Sequence, residues 1–188
     1  MATTIIRKVS YEEFQTLPRD GSKRFELIEG EVFKTPSPNT RHQRAVAKLL
    51  RRLADFVERN DLGEVFLAPY DIVFSKWTAL EPDLLFIGKE QRSIITDANV
   101  QGVPILVIEI LSPSNKAYDR ETKLRAYEKA GVPELWYLDP EERTGEILNL
   151  DSDGHYTVAA RLSGNAAIVS RVLPGLSLSL EEVFAPTP

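Results

Sequence analysis

The chain has 188 residues, 43% of them hydrophobic and 27% charged, with a net charge of −5 and no cysteine. That length suits one sizeable core and is short for two, so a single domain over residues 1–188 is expected. Without cysteine neither a disulfide framework nor a thiolate zinc site can form, and no stretch has the apolar length of a membrane span or secretory leader, so a cytoplasmic protein is expected. The acidic balance argues against nonspecific nucleic-acid binding, but it is uneven: residues 1–60 carry 12 Lys/Arg against 8 Asp/Glu, the remainder 11 against 20.

Ser10-Tyr11-Glu12-Glu13 has capping-box spacing and opens a short helix ending near Pro18. Asp20-Gly21 marks a turn. The segments 24–28 and 31–33 flank Glu29-Gly30, the pattern of a tight hairpin. Glu26, Glu29 and Glu31 cluster there, and solvated strand faces are their simplest reading. After Pro36-Ser37-Pro38-Asn39 the spacing predicts the most regular helix of the chain, 40–59, with Val46, Leu49, Leu50, Leu53 and Val57 as its buried stripe. Arg41, Arg44, Lys48 and Arg51 recur on another face, a basic stripe suited to a phosphate backbone or simply to water. His42 precedes Val46 by one turn and leans toward the buried side. Most such histidines are structural, but at a helix N-terminus one can approach a phosphate or take part in proton transfer.

The segments 64–67 and 71–74 read as strands on either side of Ala68-Pro69-Tyr70, a hairpin with an edge to pair. A loop then delivers Glu81-Pro82-Asp83 to a strand over 83–87, and 88–104 reads as an irregular connection with a helical turn. The run Ile105-Leu106-Val107-Ile108-Glu109-Ile110-Leu111 has the composition of a strand buried on both faces, interrupted by one carboxylate. Ser112-Pro113-Ser114-Asn115 ends it and offers an N-cap. A helix over 116–130 stops at Gly131 and Pro133, and the next strand spans 134–139. Strand, helix and strand in this order form a βαβ unit with a parallel pair. Short strands are expected at 146–150, 155–159 and 167–172, with Asp153-Gly154 as a hairpin turn and a capped turn at Ser179-Leu180-Glu181-Glu182.

An isolated carboxylate in a buried strand is costly unless it is protonated, paired or bound to a metal. Asp83 and Glu109 at neighbouring strand ends can together hold one Mg²⁺, with Mn²⁺ as a substitute, water and a phosphate oxygen completing the octahedron. Lys123 on the following helix then stands beside the attacking water or the phosphate, which makes the set a candidate for phosphodiester hydrolysis. Asp119, one turn earlier, is placed to orient its ammonium group. An ordinary surface Asp–Lys pair is the alternative, and in either reading Lys123→Ala is expected to leave folding nearly intact. Lys116 and Tyr127 share the face of Lys123. A glycosidase-like use of the two carboxylates leaves Lys123 and the basic helix unexplained.

Pro82-Asp83, Glu109-Ile110-Leu111-Ser112-Pro113-Ser114, Asp119, Lys123, Tyr127 and Gly131-Val132-Pro133-Glu134-Leu135-Trp136 resemble the Uma-two endonuclease family, a branch of the PD-(D/E)XK superfamily. The similarity runs from Phe25-Glu26-Leu27-Ile28 to Leu173-Pro174-Gly175-Leu176. It implies a restriction-endonuclease-like α/β domain: a central mixed sheet flanked by helices, with extra antiparallel strands at the C-terminus. It further implies a metal-dependent endonuclease acting on DNA, with Asp83, Glu109 and Lys123 catalytic and the Ile110 carbonyl as a third metal ligand. Glu26 or Glu29 enters as an accessory acid and His42 as a site residue. Arg41, Arg44, Lys48, Arg51 and Lys116 would bind nucleic acid, and a homodimer is expected because the superfamily often cuts both strands. The plain superfamily pattern sets its lysine two places after the glutamate, where this chain has Leu111; Lys123 is the replacement. A non-catalytic DNA- or partner-binding module retaining the same fold is the alternative, favoured by the acidic balance.

Overall fold

Strand alternation decides which face each side chain of the central segment meets. In the computed structural model, which describes residues 7–18, 23–113 and 116–185, that segment is β8 (Leu106–Ile110), buried along its whole length. Leu106, Ile108 and Ile110 join one hydrophobic cluster, Val107 and Leu111 a second. Glu109 falls on the second face by the same alternation. On one side of β8 lies β6 (Leu84–Gly88), antiparallel, and on the other β9 (Glu134–Asp139), parallel. Outside β6 is β3 (Gly63–Leu67), and outside β9 are β10 (Thr144–Leu150) and β11 (Tyr156–Ser163). The six-stranded mixed sheet therefore runs β11-β10-β9-β8-β6-β3.

The helix α2 (Thr40–Arg59) lays Ala45, Val46, Leu49, Leu53 and Val57 on the first face of this sheet. Asn39 caps it, its side chain accepting from the His42 N–H at 2.9 Å. The second face is closed by another sheet, made of β1 (Lys23–Ile28), β2 (Glu31–Pro36), β4 (Ile72–Ser75), β5 (Thr78–Leu80) and β7 (Val100–Gln101), in the order β2-β1-β5-β4-β7. Ile28, Ile72, Leu80 and Val100 from that sheet meet Val107, Leu135 and Tyr137 from the first. The β1–β2 turn is the tight one expected: Ile28 pairs with Glu31, and Glu29 and Gly30 both take positive φ, 53° and 87°. A side chain at Gly30 would also meet the Lys8 Cβ at 2.6 Å. Ser10 and Glu13 form the capping box of α1 (Tyr11–Gln15), and Ser179 and Glu182 that of α5 (Leu180–Phe184). The turn at Asp20-Gly21 and the cap at Ser114-Asn115 lie outside the described residues.

Three expectations need correction. The segments 64–67 and 71–74 form no hairpin: β3 is an edge of the large sheet, while β4 sits inside the smaller one between β5 and β7. The three residues of β5 carry too short a pattern to read beforehand. The helix 116–130 is not uniform. It runs as α3 (Lys116–Tyr118), a π-helical segment Asp119–Lys123, and α4 (Leu124–Ala130), ending at Gly131 with φ 83°.

The third correction is 167–172, which is not a strand; only an isolated bridge joins Ala167 to Ser179. Its apolar alternation is real, since Ile168 and Leu173 enter the first cluster. The Ile168 amide donates to the Leu178 carbonyl, but those of Arg171 and Val172 are taken by a side chain rather than a ladder. Glu134, fully buried, accepts from Arg171 N at 2.8 Å and Val172 N at 3.3 Å with one oxygen. With the other it accepts from Trp136 Nε1 at 2.6 Å and Ser170 Oγ at 2.7 Å. Removing that carboxylate strands three donors, since Val172 N keeps Ser170 Oγ at 3.2 Å. Glu134→Ala is expected to lower unfolding free energy by roughly 3–5 kcal/mol in urea titrations. Glu134→Gln, which keeps one acceptor oxygen, should cost less.

Candidate active site

Antiparallel pairing brings the start of one strand to the end of its neighbour. Leu84 on β6 is registered with Ile108 on β8, so the next pair along is Asp83 and Glu109, on the same face and at the same end of the sheet. A narrow cleft with a cavity volume of about 20 Å³ opens there. Its charged lining is Arg24, Glu26, His42, Glu81, Asp83, Glu109, Asp119 and Lys123, with Thr35, Ile110 and Ser112 alongside. Each element has a reason to contribute. Arg24 and Glu26 are alternate residues of β1 and share its cleft face, while Phe25 and Leu27 turn into a small third cluster behind it. His42 stands on the first turn of α2. Lys123 closes the π-helical segment.

Asp83 is the most constrained carboxylate of the cleft. Its Oδ1 accepts from Arg24 Nη1 at 2.8 Å. Its Oδ2 lies 2.9 Å from His42 Nε2 and accepts from the Ile110 N–H at 2.8 Å. Burial pushes its pKa up, but the bond to His42 and the charges of His42 and Arg24 outweigh it and hold Asp83 below the usual carboxylate range. The other nitrogen of His42, Nδ1, is buried with no hydrogen-bond partner among the described residues.

Lys123 lies deeper, its side chain only 4% exposed. Its Nζ is 2.5 Å from Glu109 Oε1, 3.0 Å from Glu26 Oε1 and 3.8 Å from Asp119 Oδ1. Tyr127, one turn later, donates its hydroxyl to the same Glu109 oxygen at 2.5 Å. Burial works against the ammonium, but Glu109 and Glu26 outweigh it, so Lys123 keeps its proton well above its usual pKa. Burial raises Glu109 despite that neighbour, and Asp119 and Asp83 raise it further. Burial likewise lifts Asp119 to about 6, opposed by Lys123 and reinforced by Glu26. Glu81 is raised by burial to about 7, opposed by Arg24 at 3.3 Å and reinforced by Asp71 and Glu26.

Of the residues singled out beforehand, Asp83, Glu109, Ile110, Lys123, Glu26, His42 and Asp119 meet in this cleft. Glu29 does not. It sits on the β1–β2 turn, exposed and paired with Lys129, because the hairpin turn points its side chain to water. Lys116 pairs with Asp139 at 2.8 Å outside the cleft. On α2, Arg41 pairs with Glu141 and Lys48 donates to the Ala185 carbonyl, while Arg44 and Arg51 extend to solvent. The expectation that Lys123→Ala spares the fold also fails. Lys123 is the cation of a buried acidic cluster, and removing it leaves uncompensated carboxylates at a cost on the order of 3–5 kcal/mol. Arg24 and Glu81 were missed as site residues. The two-residue spacing of Arg24 from Glu26, and of Glu81 from Asp83, is the signal that could have found them.

The fold is shared with a solved structure described as a putative nuclease belonging to DUF820 from Anabaena variabilis ATCC 29413. The superposition has a TM-score of 0.77 over 94% of this chain and 98% of the other, at 21% identity. The mixed α/β architecture is thus shared along nearly the whole of both chains. The chain belongs to the Uma2 family, described as putative restriction endonucleases, whose profile matches residues 11–181. Among curated proteins no match is found. No helix among the described residues is long and apolar enough to cross a membrane.

Glu81 and Asp119 carry a consequence for stability. Their folded pKa values, about 7 and about 6, exceed the ordinary values of 4.5 and 3.8. Between those limits the native state holds protons that the unfolded chain has released, so stability is greatest on the acid side and falls as pH rises. In denaturant titrations from about pH 5 to about pH 8, metal-free protein should lose stability, up to about 3 kcal/mol through Glu81 alone. Glu81→Gln should flatten the profile; a profile that rises with pH would contradict the assignment.

Proposed function

We propose that the protein is a metal-dependent endonuclease that hydrolyses phosphodiester bonds in DNA, with Asp83, Glu109 and Lys123 as its catalytic residues. The observation that carries this reading is the buried meeting of the two strand-end carboxylates with the ammonium of Lys123, 2.5 Å from Glu109. Membership in a family described as restriction endonucleases supports it.

The donor set fits a divalent cation. Five carboxylates, Glu26, Glu81, Asp83, Glu109 and Asp119, line the cleft against two permanent cations, Arg24 and Lys123. All the candidate donors are hard oxygens, which suit Mg²⁺ or Mn²⁺. Among the described residues no three His, Asp or Glu side chains are already drawn into a metal cage, and a Mg²⁺ site needs only one or two carboxylates beside water and phosphate. Asp83, Glu109 and the carbonyl of Ile110 would hold the ion. When bound, it would supply Lewis-acid activation of water and neutralise charge on the phosphoryl oxygens.

The chain's own groups do the rest. Lys123 holds its proton at Nζ and offers N–H donors to the attacking water or to the oxyanion that develops on phosphorus. Asp119 and Tyr127 fix that ammonium and its partner Glu109 in place. His42 fixes Asp83 through Nε2, and Arg24 brings positive charge to an acidic cleft. Arg44 and Arg51 on the open face of α2 are suited to phosphates flanking the scissile bond, with Arg41 and Lys48 beside them and Lys116 across from Asp139. A homodimer that cuts both strands is part of the same reading, with β3 and β11 as the edges open to pairing.

The experiment is a cleavage screen of plasmid, linear duplex, single-stranded DNA and RNA with Mg²⁺, with Mn²⁺ and with chelator. Metal-dependent cutting of DNA is the expected result; binding without cutting under every condition would favour the non-catalytic module. Lys123→Met fills the same space but also leaves the carboxylates uncompensated; once a thermal melt has established that it is folded, it should lower cleavage on the order of 100- to 1000-fold while still binding metal. Glu109→Gln should weaken metal binding itself. Cleavage by Lys123→Met at the wild-type rate would overturn the assignment of the lysine. In light scattering the same preparation is expected at twice the chain mass, and a monomer would remove the dimer while leaving the chemistry standing.

A further inference from the structure

The cations of the cleft are not equivalent, and the difference concerns which of them a substrate meets first. The side chains of Glu26, His42, Glu81, Asp83, Glu109, Asp119 and Lys123 are all at most 8% exposed, whereas that of Arg24 is 26% exposed. Lys123 is sealed at the bottom, enclosed by Glu109, Glu26 and Tyr127. Arg24 stands at the mouth. Its guanidinium straddles two carboxylates of the same loop, with Nη1 2.8 Å from Asp83 Oδ1 and Nε 3.3 Å from Glu81 Oε1.

Asp83 Oδ2 is already taken by His42 and the Ile110 N–H, whereas Oδ1 is held by Arg24, so a divalent cation reaching Asp83 through Oδ1 would compete with the guanidinium. A phosphodiester entering the cleft faces an excess of carboxylates and is repelled unless cations meet it. A planar guanidinium matches two phosphate oxygens as well as it matches carboxylates, and its fork is rigid enough to turn from one to the other without losing charge-assisted hydrogen bonds. From these contacts we infer that Arg24 exchanges partners: it neutralises Asp83 and Glu81 in the free protein, and grips the substrate phosphate once a divalent cation takes its place on Asp83. This rests on the nuclease reading of the cleft and adds to it the residue that receives the phosphate.

Two variants, Arg24→Gln and Arg24→Lys, test the exchange, with thermal melts to establish that each is folded. Arg24→Lys keeps the charge at the mouth and carries the test if the neutral variant does not fold. Two quantities are measured: Mn²⁺ affinity of the free protein by calorimetry, and affinity for a short phosphorothioate duplex in Mg²⁺. With Arg24→Gln, duplex affinity should fall roughly 10- to 100-fold while Mn²⁺ binds more tightly than to wild type. Arg24→Lys should fall between, having the charge without the fork. A purely structural role would weaken both affinities together, and a static phosphate contact would leave Mn²⁺ binding unchanged; either result overturns the exchange. Wild-type protein that binds both probes while the variants match it sinks the role of Arg24 alone. Wild-type protein that binds neither probe overturns the nuclease reading and this inference with it.

Discussion

One buried ammonium group organises this molecule. Lys123 sits among Glu109, Glu26 and Asp119 in a cleft where water cannot screen their repulsion, and the elements around it are arranged to bring those groups together. The central strand is buried on both faces, so a carboxylate in it must find a cation. Here the cation in contact with it comes from the helix that crosses back to β9. The π-helical segment sets Asp119 and Lys123 on the buried side of that helix. On the opposite rim the second sheet supplies Glu26 and Arg24 from a single strand. The fold can be read as the apparatus needed to hold five carboxylates within reach of two permanent cations.

That arrangement is poorly balanced as a piece of stability. Buried ion pairs seldom repay the desolvation of their charges, and here the acids outnumber the bases. The raised carboxyl groups, with Glu81 at about 7 and Asp119 at about 6, record their burial first and the neighbouring acids second. A protein shaped for stability alone would place apolar side chains here, as it does a few residues away along the same strands. The surplus negative charge has a physical rationale if a divalent cation joins the cleft, because its charge offsets what the protein leaves uncompensated. Function and strain are then the same feature.

Much of this was legible in the residues. The apolar run 105–111 announced a doubly buried strand, Glu109 announced itself by interrupting it, and Gly131 marked the end of the crossover helix. The hairpin at Glu29-Gly30 and the stripe of α2 also follow from spacing alone. What could not be read is where long-range partners override local pattern. The segment 167–172 alternates like a strand, but a carboxylate 37 positions before Arg171, Glu134, takes the amides of Arg171 and Val172. Glu26 and Glu29 look alike in sequence; strand alternation sends the first into the cleft and the turn sends the second to Lys129. That Lys123 is buried could not be read, because nothing nearby in the chain tells that two acids from other elements, Glu26 and Glu109, close on it. Arg24 was overlooked for the same reason, since its two carboxylates are more than fifty residues on.

The central claim is that the surplus of buried carboxylates awaits a divalent cation, and its most direct test is a calorimetric titration of the metal-free protein with Mn²⁺. The titration is run near pH 6 and near pH 8, each in two buffers of different ionisation enthalpy. One ion per chain is predicted, binding more tightly at the higher pH and releasing protons at the lower one, where the carboxyl groups are still partly protonated. No binding, or binding that neither releases protons nor changes with pH, would contradict the account.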